Sequence, residues 1–293
     1  MKFKKNSLET GFDIFNVVFM IVLMLVTVYP ILYILFASVS DAGLLMQHRG
    51  FLLVPLGVNF DSYIAVFKNP LILTGFRNTL FVVIVGSAVN ILMTFLAAYF
   101  LSRKKLLWKR FVMIMIVITM FFGGGMIPSY LVVVGLGLRN SLWSLIIPSA
   151  VSAFNIIVMR TAFMSIPESL EESAVLDGAN DFTILFRIIV PLSLPVTAVM
   201  LLWYGVGHWN AWFQASLFLS NRKLFPLQLI LREVLIQNTM DEMLVGTQNA
   251  DRGQVAETIK YATIIVATIP ILFVYPFLQK YFVKGVMIGA LKG

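Results

Sequence analysis

The sequence predicts an all-α polytopic membrane protein of six transmembrane helices, with both termini on the cytoplasmic side. Three observations predict it. Hydrophobic residues fill 59% of the 293 positions and charged residues 12%, with 25 Phe and 15 Met. The mean hydropathy is +0.91, and this usage lies well outside that of soluble domains. Apolar runs recur that can cross a bilayer, which takes about 20 residues of helix; they are continuous, whereas the strands of a membrane barrel would alternate. Finally, Lys and Arg gather in three short clusters, at the N-terminus, between the second and third runs, and after the last.

The helices fall at about 14–37, 76–101, 111–134, 143–163, 190–215 and 259–281. Residues 1–13, MKFKKNSLETGFD, form a basic N-terminal segment before the first. A signal peptide would have a shorter apolar core and a small-residue cleavage site; the run from Ile14 to Ala37 spans, and no A-x-A site follows it. It is read as an uncleaved first helix. Helix two opens on FRNTL (76–80) and ends at SRKKLLWKR (102–110), which packs five positive charges before helix three. Lys2, Lys4 and Lys5 lie before helix one, and Lys280, Lys284 and Lys292 at or beyond the end of helix six. With both termini inside, all three clusters face the cytoplasm, as the positive-inside rule requires. Residues 164–189 are then cytoplasmic and 216–258 external. The external loop sets Arg222, Lys223, Arg232 and Arg252 against Glu233, Asp241, Glu242, Asp251 and Glu257. The spans occupy 14–281, and 282–293 form a basic, glycine-bearing cytoplasmic tail.

Several function classes are excluded or disfavoured by composition. There is no cysteine, so disulfides, thiolate metal sites and cysteine nucleophiles are ruled out, and two histidines make a histidine metal centre a poor reading. The net charge of +8 is read as cytoplasmic anchoring charge, with no nucleic-acid partner. No G-x4-G-K-[ST] occurs, so the chain holds no phosphate loop of that kind. A secondary transporter needs a coupling carboxylate within a span, and Asp13 only touches the edge of helix one.

Against this greasy background, EESAVLDGANDF (171–182) collects Glu171, Glu172, Asp177 and Asp181, with Glu168 just upstream. Ser165 and Glu168 match a capping box, and Pro167 suits a first helical turn. Glu168, Glu171 and Glu172 lie near the positive end of the helix dipole and share one face; Ile166, Leu170 and Ala174 line another. Gly178 fits the left-handed residue that ends a helix, and Asn180 or Asp181 can cap the next. A short amphipathic helix outside the bilayer needs a surface to lie against, and its acids disfavour anionic headgroups. A basic protein partner fits best.

Glu172-Ser173-Ala174, three residues, Gly178, nine residues, then Ile188-Ile189-Val190-Pro191 resembles the EAA motif of ABC importer permeases, E-A-A-x3-G-x9-I-x-L-P. Ser173 replaces the first Ala and Val190 the Leu. The resemblance extends over nearly the whole chain, through FRNTL and the C-terminal VKGVMIGALKG. It is to the carbohydrate branch, the maltose-type second permease family, and within it FFGGGMIPSYLVVVGLGLRNSLW looks most like permeases for complex oligosaccharides and polysaccharides, the lipo-oligosaccharide and aldouronate-like branch. It implies a type I importer fold in the cell membrane of a bacterium, with a coupling helix formed by Glu168, Glu171, Glu172, Ser173, Ala174, Asp177, Gly178 and Ala179. The implied partners are a second permease subunit in a heterodimer, two ABC ATPase subunits, an extracytoplasmic solute-binding protein met by loop 216–258, and membrane lipid. The tail 284–293 is a second possible ATPase contact. No cofactor is implied in this chain; ATP and Mg would bind the partner ATPase, and the chain itself would not be an enzyme. Amino acid and phosphonate permeases share the motif and remain the alternative.

Polar groups inside spans mark candidate pathways. Helix five carries LLWYGVGHWNAWFQ (201–214), where Trp203, Tyr204, Trp209, Trp212 and Phe213 could stack on sugar rings. His208, Asn210 and Gln214 could bond hydroxyls. The competing reading is an interfacial aromatic belt. Gly123, Gly124 and Gly125, with Pro128, weaken helix three; broken helices line cavities, and close helix packing accounts for glycines equally well. Asn78 and Asn90 on helix two and Asn155 on helix four are either lining groups or bonds to a neighbouring helix.

Overall fold

The computed structural model describes residues 7–103, 107–244, 257–273 and 276. Among these residues the chain is helical and forms no strand; one isolated bridge joins Ser40 and Val58. Two compact units emerge, the first from Met1–Asn69 with Glu233–Thr268 and the second from Pro70–Arg232 with Ile269–Gly293.

In the first unit, α1 (Ser7–Ser38) is one continuous helix. An 18-residue apolar window of it holds no buried residue, as a lipid-facing span requires, and only its last turn is buried. It starts before Ile14 because Glu9 in its first turn complements the helix dipole. The short α2 (Ala42–Gln47) is capped by Asp41, whose carboxylate accepts the N–H groups of Gly43 at 3.0 Å and Leu44 at 3.1 Å. After α3 (Asp61–Lys68) the unit closes on Ala37, Leu45 and Leu52, ringed by Tyr33, Phe36, Leu56 and Tyr261.

The second unit is built around α4 (Pro70–Ser102), which starts six residues before the expected boundary because Pro70 has the fixed φ of a first helical position. The third expected span is broken. α5 (Lys109–Phe121) and α6 (Met126–Gly135) meet at 117° across Phe122–Gly125, where Gly125 takes φ +83°. The fourth is split into α7 (Trp143–Ile146) and α8 (Ala153–Met164). Pro148 lacks the amide that would bond the Ser144 carbonyl, and Ser152 restarts the helix by accepting the Asn155 N–H.

α9 (Glu168–Leu176) and α10 (Asp181–Ile184) follow, then a π-turn at Leu185–Ile189 and α11 (Val190–Leu192). α12 (Leu194–Trp209) leaves this stretch at 88°. Pro191 and Pro195 each remove a backbone donor, and the π-turn and bend absorb the loss. α13 (Trp212–Phe218), a 3₁₀ turn at Arg222–Leu224, α14 (Leu227–Leu244) and α15 (257–273) complete the described chain. The remainder of the sixth expected span, the tail, Lys2, Lys4, Lys5, Lys104, Lys105 and residues 245–256 lie outside the described residues.

Two helices, Leu8–Ser38 and Pro70–Ser102, are each long and apolar enough to cross a bilayer, and the two bent pairs qualify when each is taken as one span. α4 packs chiefly against α12 and α8. Their contact holds a core of Phe95, Ala98, Met159, Phe163, Ile189 and Met200, into which Ala174 of α9 also reaches.

The start of the expected external loop folds back on α4. Asn78 donates to the carbonyls of Lys223 at 2.8 Å and Phe225 at 3.1 Å, and the Thr79 hydroxyl accepts the Leu227 N–H at 2.8 Å. Gly75 makes room, since a Cβ there would sit 3.2 Å from the Leu227 Cα and closer still to Ile230. Asn140, at φ +59°, clips the same segment by accepting the N–H groups of Ser220 and Asn221 at 3.1 and 2.9 Å.

Candidate functional site

Two features of the second unit are candidates for function, the α9–α10 loop and a cleft beside α12. In the loop, Gly178 takes φ +82°. Its N–H bonds the Val175 carbonyl at 3.0 Å and the Ala179 N–H bonds Ala174 at 2.9 Å. This paired arrangement is a Schellman close, which satisfies the last carbonyls of α9. Asn180 then caps α10 by accepting the Thr183 N–H at 2.8 Å. The expected capping box does not form. Pro167 occupies the N-cap without a side-chain bond, and the Ser165 hydroxyl donates to the Ala162 carbonyl at the end of α8.

The acids of α9 are not equivalent. Glu171 pairs with Arg103, just past the end of α4. The Arg103 guanidinium lies 4.1 Å over the Tyr99 ring, and the Tyr99 hydroxyl donates to Asp181 at 3.3 Å. Burial lowers the pKa of Arg103, against the pull of Tyr99, Asp181 and Glu168. The loop is thus tied to the α4 end by an ion pair, a ring face and a hydrogen bond. Glu172, Ser173 and Asp177 stay exposed while Ala174 and Ala179 turn inward. At the tip, Leu176 is 87% exposed, with Val175 and Phe182 exposed beside it. No atom lies within 4 Å of a Cβ placed on Gly178. Gly178→Ala is therefore expected to cost about 1–2 kcal/mol through the left-handed backbone alone, read as a fall in thermal midpoint without loss of the fold.

The cleft has a volume of about 870 Å³, in the range of ligand sites. It brings together Gly123, Gly124 and Gly125 with Asn155, Trp203, Tyr204 and His208, and with Phe213 and Gln214. Trp203 leans on Phe154 with centroids 5.5 Å apart and keeps 42% of its surface exposed. Other expected lining residues lie elsewhere. Asn78 serves the chain returning at 223–225, and Trp209 is buried edge-on to Phe76. Asn210 sits at the end of α12, and Trp212 lies under the Arg232 guanidinium at 4.2 Å. Ser129, Ser144, Ser149 and Ser152 line the cleft without having been expected there. Behind it, Asn90 accepts from His208 Nε2 at 2.6 Å and donates to the Ser149 carbonyl, and Tyr204 shares a 2.7 Å bond with Thr94.

Helices long and apolar enough to cross a bilayer, a cleft with no charged lining residue among the described ones, and an amphipathic helix tied to the end of α4 fit a membrane permease. Residues 90–288 match the family described as binding-protein-dependent transport system inner membrane component, and the chain belongs to that family. It is 40% identical over 294 residues to the polygalacturonan/rhamnogalacturonan transport system permease protein YtcP of Bacillus subtilis (strain 168), covering 99% of this chain and 100% of that one. Among solved structures, a bacterial ABC transporter involved in the import of the acidic polysaccharide alginate has a chain matching with a TM-score of 0.87 and 33% identity, over 96% of this chain and 100% of that one. A chain of the bacterial alginate ABC transporter in complex with alginate pentasaccharide-bound periplasmic protein matches at 0.52 and 16%, over 90% and 93%, and shares the fold alone.

Proposed function

We propose that the chain is one permease half of an ATP-driven, binding-protein-dependent importer of oligo- or polysaccharide in a bacterial cell membrane. Six spans with both termini inside place the α9–α10 loop in the cytoplasm, where the positive clusters also fall. A second permease completes the pathway, and a separate pair of ATPase subunits binds ATP and Mg. The tip of α9 docks on one of them. The observation that carries this reading is the loop itself, whose exposed apolar tip, Leu176, sits on a helix anchored to α4 through Glu171 and Arg103.

Closure of the ATPases would move α9 as a lever, and its tie to α4 carries the motion to α12 and the cleft. The saccharide assignment is supported by Trp203 and the hydroxyl-rich cleft, together with the glycan transporters among its relatives. Delivery by a binding protein is supported by the family itself, described as a binding-protein-dependent transport system.

The test is ATP hydrolysis by the reconstituted importer, with its ATPase, second permease and binding protein, across a panel of neutral and uronate oligosaccharides. Stimulation by a saccharide, abolished by Glu172→Lys on the exposed face of α9, is the expected result. Stimulation only by an amino acid or phosphonate would overturn the substrate class. Saccharide stimulation indifferent to the charge reversal would move coupling away from this face of the loop.

A further inference from the structure

The break between α5 and α6 leaves backbone donors without acceptors. A helix cannot bond its own first amides. At the start of α6 these belong to Gly125, Met126 and Ile127, since Pro128 carries no N–H. None of the three finds a partner among the described residues, and neither do the N–H groups of Gly123 and Gly124. α6 has no side-chain cap and no acid in its first turn. Inside a bilayer, irregular backbone of this kind is tolerated where it lines a cavity, and Gly123, Gly124, Gly125 and Met126 all line the cleft.

Packing within the chain does not account for the glycines. A Cβ on Gly123 or Gly125 would meet nothing within 4 Å, and one on Gly124 would meet only the Pro128 Cβ at 3.7 Å. Gly125 alone needs glycine for its backbone, at φ +83°. What Gly123 and Gly124 provide is amide backbone that a ligand can approach with no side chain in the way.

A second donor stands apart from that helix end. Asn155, on α8, is 6% exposed, and its side-chain amide bonds nothing among the described residues. Neither atom of that amide is sealed inside the protein, so it opens on the cleft that Asn155 lines. No Asp or Glu lines the cleft to take these donors, and no Lys or Arg supplies a positive charge there. Acceptors are present as well, in the serine hydroxyls and the carbonyl end of α12. The Val206 and His208 carbonyls of that end are already bonded by the Asn210 and Ala211 N–H groups. The serines are left to the hydroxyls of a sugar.

We propose that the α5–α6 break and Asn155 form a carboxylate subsite, where the permease receives a uronate unit of an acidic saccharide. A carboxylate offers only acceptors. Free N–H groups at the positive end of a helix therefore favour it over a neutral hydroxymethyl group, as half-helix ends in broken spans favour anionic substrate groups. Asn155 adds its NH2 and is a specificity-determining residue of the subsite. The inference rests on the reading of the chain as a saccharide permease and adds the charge of the sugar.

The test is equilibrium binding of two probes to the purified complex of the permease pair with its ATPases. One is an oligogalacturonide, the other the same oligomer with its carboxyls reduced to hydroxymethyl groups. The wild type should bind the uronate about tenfold more tightly, the scale of one hydrogen bond to a charged group. Asn155→Asp, which exchanges the amide donor for a carboxylate oxygen, should erase that preference. Met126→Pro removes an amide donor at a position where helices accept proline. It should lower the ratio further than Met126→Ala, which keeps the donor. Equal or weaker binding of the uronate by the wild type overturns the subsite. So does a preference that neither Asn155→Asp nor Met126→Pro lowers, or an equal loss of both probes in the two variants. Binding of neither probe also overturns it. Absence of saccharide-stimulated ATP hydrolysis by the same complex, supplied with its binding protein, separately overturns the saccharide reading.

Discussion

Leu176→Asp is expected to abolish saccharide-stimulated ATP hydrolysis while leaving the permease folded. Leu176 is 87% exposed, so the isolated chain gains nothing from its burial, and an exposed substitution shifts stability by no more than about 0.5 kcal/mol. In the docking proposed above the same side chain would enter the ATPase, where burying a leucine contributes about 1.5–3 kcal/mol. The aspartate forfeits that contribution and adds the cost of a desolvated carboxylate. Together these exceed the 1.4 kcal/mol that corresponds to about tenfold in affinity. The checks are copurification of the ATPase with the variant, stimulated ATPase rate and thermal midpoint. Loss of the first two with an unchanged midpoint is the expected pattern. Normal stimulation would mean that the tip does not dock.

The loop was legible in the sequence because its determinants are local. A glycine at the left-handed position, an asparagine three residues before the amide it caps, and acids in a first turn act within one or two helical turns of themselves. The capping box failed for an equally local reason. A residue before proline is driven away from helical backbone, so Ile166 cannot continue a helix from Ser165, and Ser165 closes α8 instead. The helix breaks at Pro148, Pro191 and Pro195 were hidden by hydropathy, which averages over a span and does not register a lost amide.

The cleft was legible where polarity, a glycine run or an aromatic cluster marks an apolar stretch. Asn155, Tyr204 and His208 stood out in this way, but the serines did not, because a helical hydroxyl is normally absorbed by a carbonyl three or four residues back. Only the fold shows that those carbonyls have already taken their protons. Trp209 follows His208 directly and so points about 100° away from it around α12, into the contact with Phe76. Asn78 is claimed by carbonyls 145 and 147 residues along the chain, a pairing no periodicity predicts. In α4, the spacing of Gly86, Asn90 and Thr94 at every fourth residue is a polar stripe on an otherwise apolar helix, and that stripe was the available signal for the wall behind the cleft.

Gly86→Ala follows from that stripe, and its sign is decided by two opposed effects. Alanine in a helix interior is favoured over glycine by about 0.5–1 kcal/mol, so propensity alone predicts a more stable protein. The new Cβ, however, would sit 2.6, 2.8 and 3.0 Å from Nε2, Cε1 and Cδ2 of His208. The ring cannot swing aside freely, because Nε2 is bonded to Asn90, which is itself 1% exposed. Overpacking of this kind costs about 1–3 kcal/mol, and breaking the buried bond costs about 1–3 kcal/mol more. The clash outweighs the propensity, and the variant should melt lower. Removing the ring removes the conflict, so Gly86→Ala with His208→Ala should be less destabilised than the sum of the two single changes. A thermal double-mutant cycle on the purified permease reads that difference directly. Additivity would mean that α4 does not seat His208.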